Sequence, residues 1–330
     1  MQEYAPKYFY DFTCIASACP DSCCKEWTVD VDPQAAQYYR QLDGALGDRL
    51  RQVLADTPDG TVMTIENGRC PMWRDDGLCR IQAELGHDAL CKTCREFPRL
   101  THDYGNFIEL GLELSCPAAA QLILNSSGGM LVQAQPGGSQ PEYEQEIMDL
   151  LRQSRKQALD FLQEAADIPR ALAAVLLYAH DVQTAIDGDG VIGSTPEDCL
   201  SEVNNFRCNG DIAAVLSYFK TLEILTPQWK SRLASAPADI AWNDPLRNLA
   251  CYMIQRYWLQ AISDYDLICR VKLALTACVL VGALGSDTVE TAQLFSKEIE
   301  NNTDNIDAIL DGAYTSPALT DTNLLALLLD

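Results

Sequence analysis

The alternation of apolar and polar positions divides the chain near residue 125. Before it the signals are short and of mixed period. Residues 27–31 and 62–65 alternate as brief strands, and 107–114 does so most clearly, with Leu110, Leu112 and Leu114 on one side. Asp32-Pro33 predicts a helix start, an N-cap followed by proline at the first helical position, running through Tyr38, Tyr39 and Leu42 to Gly44. A short helix is predicted around 49–55, a turn at 57–60, and a helical turn or two on Ile81, Leu85 and Leu90.

Beyond residue 142 the period becomes helical throughout. Ile147, Leu150, Leu151, Leu159 and Leu162 form one broad face across 142–166, and Pro169 opens a helix over 172–186. Thr195-Pro196-Glu197-Asp198 is a capped start with acids in the first turn. Helices are predicted over 212–225, 244–258, 266–284 (strongly apolar), 292–310 and 323–329. Between the two halves lie Gly128-Gly129 and the run 136–141, PGGSQP, which read as a linker or mobile loop. The expectation is a mostly α protein: a cysteine-rich region over 1–124 with a few short strands, a linker over 125–141, and a body of seven or eight helices over 142–330. No repeat of 20–50 residues emerges.

Composition narrows the function. The 330 residues are 48% hydrophobic and 22% charged, enough for a core that does not need disulfides. A net charge of -23 argues against a nucleic acid or an anionic membrane as partner and suits a basic one, such as a lysine-bearing protein surface. The opening MQEYAPKYFYDF lacks the apolar stretch of a secretion signal. The longest apolar run, 273–284, falls short of the roughly 20 residues of a membrane span. A soluble cytoplasmic protein is therefore expected, where clustered cysteines serve as metal ligands or redox groups rather than disulfides.

Nine cysteines fall in the first 116 residues: Cys14, Cys19, Cys23, Cys24, Cys70, Cys79, Cys91, Cys94 and Cys116. Cys91-Lys92-Thr93-Cys94 can grip one soft metal from a tight turn, and four thiolates complete a zinc site or hold an iron–sulfur cluster. A zinc ribbon would show two such knuckles, whereas here one has irregular partners. Nine thiols exceed one site, so either two centres exist or some cysteines only support the first. The adjacent Cys23 and Cys24 would point apart in an extended segment and so take different roles. A purely structural zinc site is the plainer alternative.

Cys199, Cys208, Cys251, Cys269 and Cys278 sit in helical contexts and read as small apolar residues. His87 and His102 flank the CxxC, but with His180 they form no HxxxH pair. No Walker loop, GxGxxG, GxSxG or SxxK motif is present.

The run Cys14-x4-Cys19-x3-Cys23-Cys24-x2-Trp27, followed by GRCPMW, GLCRI, LGHDALCKTCREFPR and LELSCPAAA, resembles the flagellin lysine-N-methylase family. It shares the cysteine-rich signature of the wider group of zinc- or iron-chelating proteins, a CC pair with a later C-R-x-F/Y-P, here Cys94-Arg95-Glu96-Phe97-Pro98. Residues 247–266 and 295–310 are similar to the family's aromatic and closing helices. The resemblance is sharp over 8–120 and looser beyond.

It implies methyl transfer from S-adenosylmethionine to lysine side chains of flagellin, in an enzyme with a cysteine-ligated iron–sulfur centre of the 4Fe–4S type, zinc being the alternative. The attacking amine must be neutral, against a reference pKa of about 10.4, and a cationic donor calls for acidic or aromatic walls. Glu96, Asp103, Tyr104, Tyr257 and Trp258 are candidates for such walls. No catalytic residue or donor site is assigned. A competing reading from another class is a non-enzymatic metal-binding chaperone or interaction module.

Overall fold

A computed structural model describes residues 1–25, 27–126, 128–188, 190–204, 206, 209–285 and 287–329. The protein is mostly α, with two small sheets near its N-terminus. β1 (Gln2–Pro6) begins the chain, and β2 (Val29–Val31) leads into α1 (Pro33–Gln41) and α2 (Gly44–Val53). A hairpin of β3 (Leu54–Thr57) and β4 (Gly60–Met63) precedes α3 (Arg80–Leu85) and α4 (Lys92–Glu96). Then come β5 (Arg99–Asp103), β6 (Phe107–Leu112), α5 (Pro117–Leu124) and β7 (Met130–Ala134).

One sheet has the order β2-β4-β3 and the other β5-β6-β1-β7. In the second, Tyr4 lies opposite Glu109 of the parallel β6 and opposite Val132 of the antiparallel β7. Part of the stretch expected to be linker is thus an edge strand, reached only through pairing with the chain start.

Asp32 caps α1 as expected, accepting from Ala35 N at 3.0 Å. The helix stops at Gln41, short of the predicted Gly44, because Leu42 turns extended. The Leu42 carbonyl then closes on Gly47, where a Cβ would lie 1.8 Å from its oxygen, so α2 can start early only with glycine there.

The remaining helices are α6 (Gln145–Glu164), α7 (Ile168–Asp187), α8 (Pro196–Val203), α9 (Ile212–Phe219), α10 (Pro227–Ala234) and α11 (Asp244–Tyr257), then α12 (Ile268–Leu284), α13 (Thr288–Phe295), α14 (Thr303–Thr315) and α15 (Asp321–Leu329). Thr195 and Asp198 form a capping box on α8. α12 is buried along its whole length, as its unbroken apolar run requires, and packs against α7, α11, α13, α14 and α15.

The single helix expected over 292–310 is instead two, separated by a π turn at Ser296–Glu300. There Glu298 accepts from Leu225 N at 2.7 Å and Glu300 meets Arg256 at 3.3 Å. Buried carboxylates with fixed partners override the local helical period. No helix among the described residues is long and apolar enough to cross a membrane.

Two hydrophobic cores result. The larger joins the helical body to Phe107, Leu112, Leu114 and α5. The smaller gathers 13 buried residues from Val29 to Cys91, among them Tyr39, Leu50, Met63 and Met72. In β6 the alternation buries Glu109 rather than Leu110. Arg155 of α6 answers it with two hydrogen bonds, one of 2.8 Å, and both side chains are under a tenth exposed. Removing one member of a buried pair strands the other charge. Arg155→Ala should therefore lose about 3–5 kcal/mol of stability in urea unfolding.

Asp321 of α15 accepts from His180 of α7 at 2.9 Å and pairs with Lys272 of α12 at 2.7 Å. The His180 bond and then Lys272, against burial, hold its carboxyl at about 2, below the ordinary 3.8. That contribution is whole above pH 3.8 and is lost as pH falls toward 2. Urea titrations should find Asp321→Asn less stable than wild type at pH 7, with the gap narrowing between pH 3.8 and 2.

Candidate functional site

The nine N-terminal cysteines separate into a group of six and a group of three. Backbone pairing sets the first contacts. Cys70 N donates to the Cys24 carbonyl at 2.7 Å, and Lys25 pairs with Arg69, so the loop around 22–25 lies against 66–70. The ring of Trp73 then carries Arg69 at 4.5 Å and Lys25 at 5.2 Å, pinning the two loops together. Asp32 does double duty: besides capping α1 it accepts from Lys92 N at 2.7 Å, while Thr93 Oγ1 donates to Asp30 O at 2.9 Å. These bonds fix the Cys91–Cys94 turn beside β2.

The thiols meet accordingly. Cys23 and Cys24 lie in a turn rather than an extended segment and hydrogen-bond to each other, so the expectation that they point apart is corrected. Cys24 also bonds Cys70, which sits 3.4 Å from the sulfur of Met63. Cys91 bonds Cys94, and Cys79 feels both Cys23 and Cys91.

Each bond splits the ionisation of its pair. The hydrogen bond to Cys91 and then burial push the Cys94 thiol up, while the same bond draws Cys91 down. Cys24 ends near 12, because its bond with Cys23, which lowers it, is outweighed by the bond with Cys70 and by burial. Burial raises Cys79, partly offset by the first-turn amides Gln82 and Ile81 of α3. Tyr39 of α1 is the phenol that borders Cys91, Cys94 and Cys79.

Cys14, Cys19 and Cys116 form the second group, joined to the first through Cys19 and Cys23. Burial raises Cys116 to about 11. This group is stapled to the helical body. Asp21 accepts from Lys297 at 2.9 Å and from Gln293 at 3.3 Å, and Gln293 also donates to Ser115 O at 2.7 Å.

Among the described residues, no three or more His, Cys, Asp and Glu side chains are arranged to hold a metal ion as they stand. Five of the six thiols pair with one another instead, Cys79 lying near them, and a cation would have to displace their protons. The donor set is nonetheless of the right kind for a thiophilic centre: sulfur ligands from three loops, fixed by backbone bonds.

The remaining candidates lie elsewhere. Glu96 and Asp103 are exposed, and Tyr104 stacks on Phe107 at 4.8 Å. Tyr257 is buried against Glu300 at 3.0 Å, and Trp258 donates to Ser154 at 3.1 Å within the core. His87 is exposed, and His102 lies on β5 with a buried, unpartnered Nε2. Cys199, Cys269 and Cys278 are buried and Cys251 half-buried, while Cys208 lies outside the described residues. Tyr39, Asp32 and the Glu109–Arg155 pair escaped sequence reasoning. Only Asp32 left a signal, as a cap, and nothing in the sequence announced its second partner.

In the metal-free chain, iodoacetamide should alkylate exposed Cys14 well before Cys278, which is fully buried in α12. Peptide mass mapping over a time course measures the order.

No family model matches the chain, and no solved structure does. It is 32% identical over 138 residues to the flagellar biosynthetic protein FliU of Salmonella muenchen, covering 38% of this chain and 78% of that one. It is equally 32% identical over 138 residues to the lysine-N-methylases of Salmonella choleraesuis and Salmonella typhimurium, covering 33% of each. The chain thus spans about a third of those two enzymes.

Proposed function

The chain belongs to the flagellin lysine-N-methylase family, and on that footing we propose that it is a protein-lysine N-methyltransferase using S-adenosylmethionine, with flagellin as its substrate. The observation that carries the reading is that five signature cysteines, Cys24, Cys70, Cys79, Cys91 and Cys94, pack on one small core, with Cys23 bonded to Cys24 beside them. In the reaction a lysine amine first gives its proton to water. Its lone pair then attacks the methyl carbon, the carbon–sulfur bond breaks, and the donor leaves as a neutral thioether. The product is a methylated ammonium. The enzyme must therefore favour the neutral amine, by desolvation or a neighbouring base.

The reading puts an iron–sulfur centre on the group of Cys23, Cys24, Cys70, Cys79, Cys91 and Cys94, with Cys14, Cys19 and Cys116 apart from it. Such a centre, when bound, supplies a one-electron couple. The chain's own residues hold the three loops in register for it, through the Cys24–Cys70 backbone bond and the two bonds of Asp32. A second reading, a metal-binding module without methylase activity, draws on the chain's spanning only a third of the two lysine-N-methylases.

Two measurements separate them. Incubation of anaerobically prepared protein with S-adenosylmethionine and purified flagellin should add about 14 Da per event to lysine-containing peptides. No mass gain, with no detectable donor binding, leaves the module reading. Iron analysis should give about four irons per chain in wild type, lost in Cys91→Ser and Cys94→Ser but kept in Cys251→Ser and Cys278→Ser. Full iron in the Cys91/Cys94 double variant would refute the ligand assignment.

A further inference from the structure

A cavity of about 570 Å³ lies beneath β1 and β7, walled on the other side by α6 and α11 and closed by the end of α5. Its volume is that of a pocket for a ligand of nucleoside size. The wall is largely apolar and aromatic, with Tyr4, Tyr8, Ile123, Leu159 and Tyr252. None of the nine N-terminal cysteines contributes to it.

The charges in this wall do not cancel. Arg152, Arg155 and Lys156 line it with Glu109 and Asp160 as the carboxylates. Arg155 is taken up by Glu109, and Lys156 by Asp160. Arg152 is left without an ion pair among the described residues, in a chain whose net charge is -23. Its guanidinium is nevertheless held firmly. It lies 4.6 Å from the centre of the Phe107 ring and 5.1 Å from that of Tyr4, and Nη2 donates to Tyr4 Oη at 2.6 Å. A stacked, pre-oriented guanidinium with most of its N–H donors unspent is a carboxylate receptor.

We infer that this cavity binds the methyl donor, with Arg152 receiving the carboxylate of its amino-acid end, an inference that rests on the methyltransferase reading above. The donor offers what the wall asks for: a carboxylate for Arg152 and a sulfonium for the aromatic side chain of Tyr8. Cys116, of the group of three, precedes α5 and Ile123 lies near its far end, so roughly 12 Å of helix separates that group from the cavity, and none of the six thiols lines it. Donor binding and the metal centre would then occupy separate places.

The test is a binding cycle by calorimetry on the anaerobically prepared 330-residue chain. The ligands are S-adenosylmethionine and its decarboxylated form, and the proteins are wild type and Arg152→Gln, each checked for folding by circular dichroism. Wild type should bind the decarboxylated form about ten- to a hundredfold more weakly than the intact donor. Arg152→Gln should lose the same factor for the intact donor and nothing further for the decarboxylated one. Equal affinity of wild type for both ligands overturns the inference even if the variant fails to fold, and leaves the methyltransferase reading standing. Undisturbed binding of the intact donor by folded Arg152→Gln does the same. No binding of either ligand to wild type removes both.

Discussion

Sulfur contacts substitute for hydrophobic mass in the cysteine lobe. Its core has 13 buried residues, two of them Cys70 and Cys91, and its sheet has three short strands. A unit this thin is marginal without a staple. What holds its loops in place is a set of directed bonds: Cys70 N to Cys24 O, Asp32 to both Ala35 and Lys92, and Thr93 to Asp30. These bonds bring six thiols into one neighbourhood. The pairings of Cys23 with Cys24, Cys24 with Cys70, and Cys91 with Cys94 follow from that crowding. A soft cation that replaced their protons would cross-link the same three loops that the backbone bonds already register.

The second constraint is a buried charge. Glu109 sits at a core position of β6, compensated by Arg155 and by Gln255 at 3.4 Å. This pair fastens the β5-β6-β1-β7 sheet to α6 and α11, so the sheet belongs to the core of the helical body. It also lines the cavity, where the neighbouring Arg152 has no carboxylate partner among the described residues. The thiol lobe and the cavity are therefore served by different parts of the chain.

Local signals in the sequence translated well into elements. Asp32-Pro33, Thr195 with Asp198, and the unbroken apolar run of α12 all became the caps and the buried helix that their chemistry implies. Non-local pairing stayed hidden. β1 and β7 are short and weakly patterned: β1 forms between β6 and β7, each more than 100 residues away along the chain, and β7 pairs with β1. The π turn at Ser296–Glu300 was invisible for a related reason: the partners of its carboxylates, Leu225 N and Arg256, come from distant segments. For the thiols, residue type and spacing identified nine candidate ligands. Their division into six and three depends on a turn at Cys23-Cys24 and on loop pairing that spacing does not encode.

The claim on which most depends is that the six thiols form the metal centre of this chain. Anomalous diffraction at the iron edge, from crystals of anaerobically prepared protein, tests it directly. The account predicts iron peaks enclosed by the sulfurs of Cys23, Cys24, Cys70, Cys79, Cys91 and Cys94, with Cys14, Cys19 and Cys116 outside. Iron seated on those three, or a zinc-edge signal at the six thiols with no iron, would contradict it.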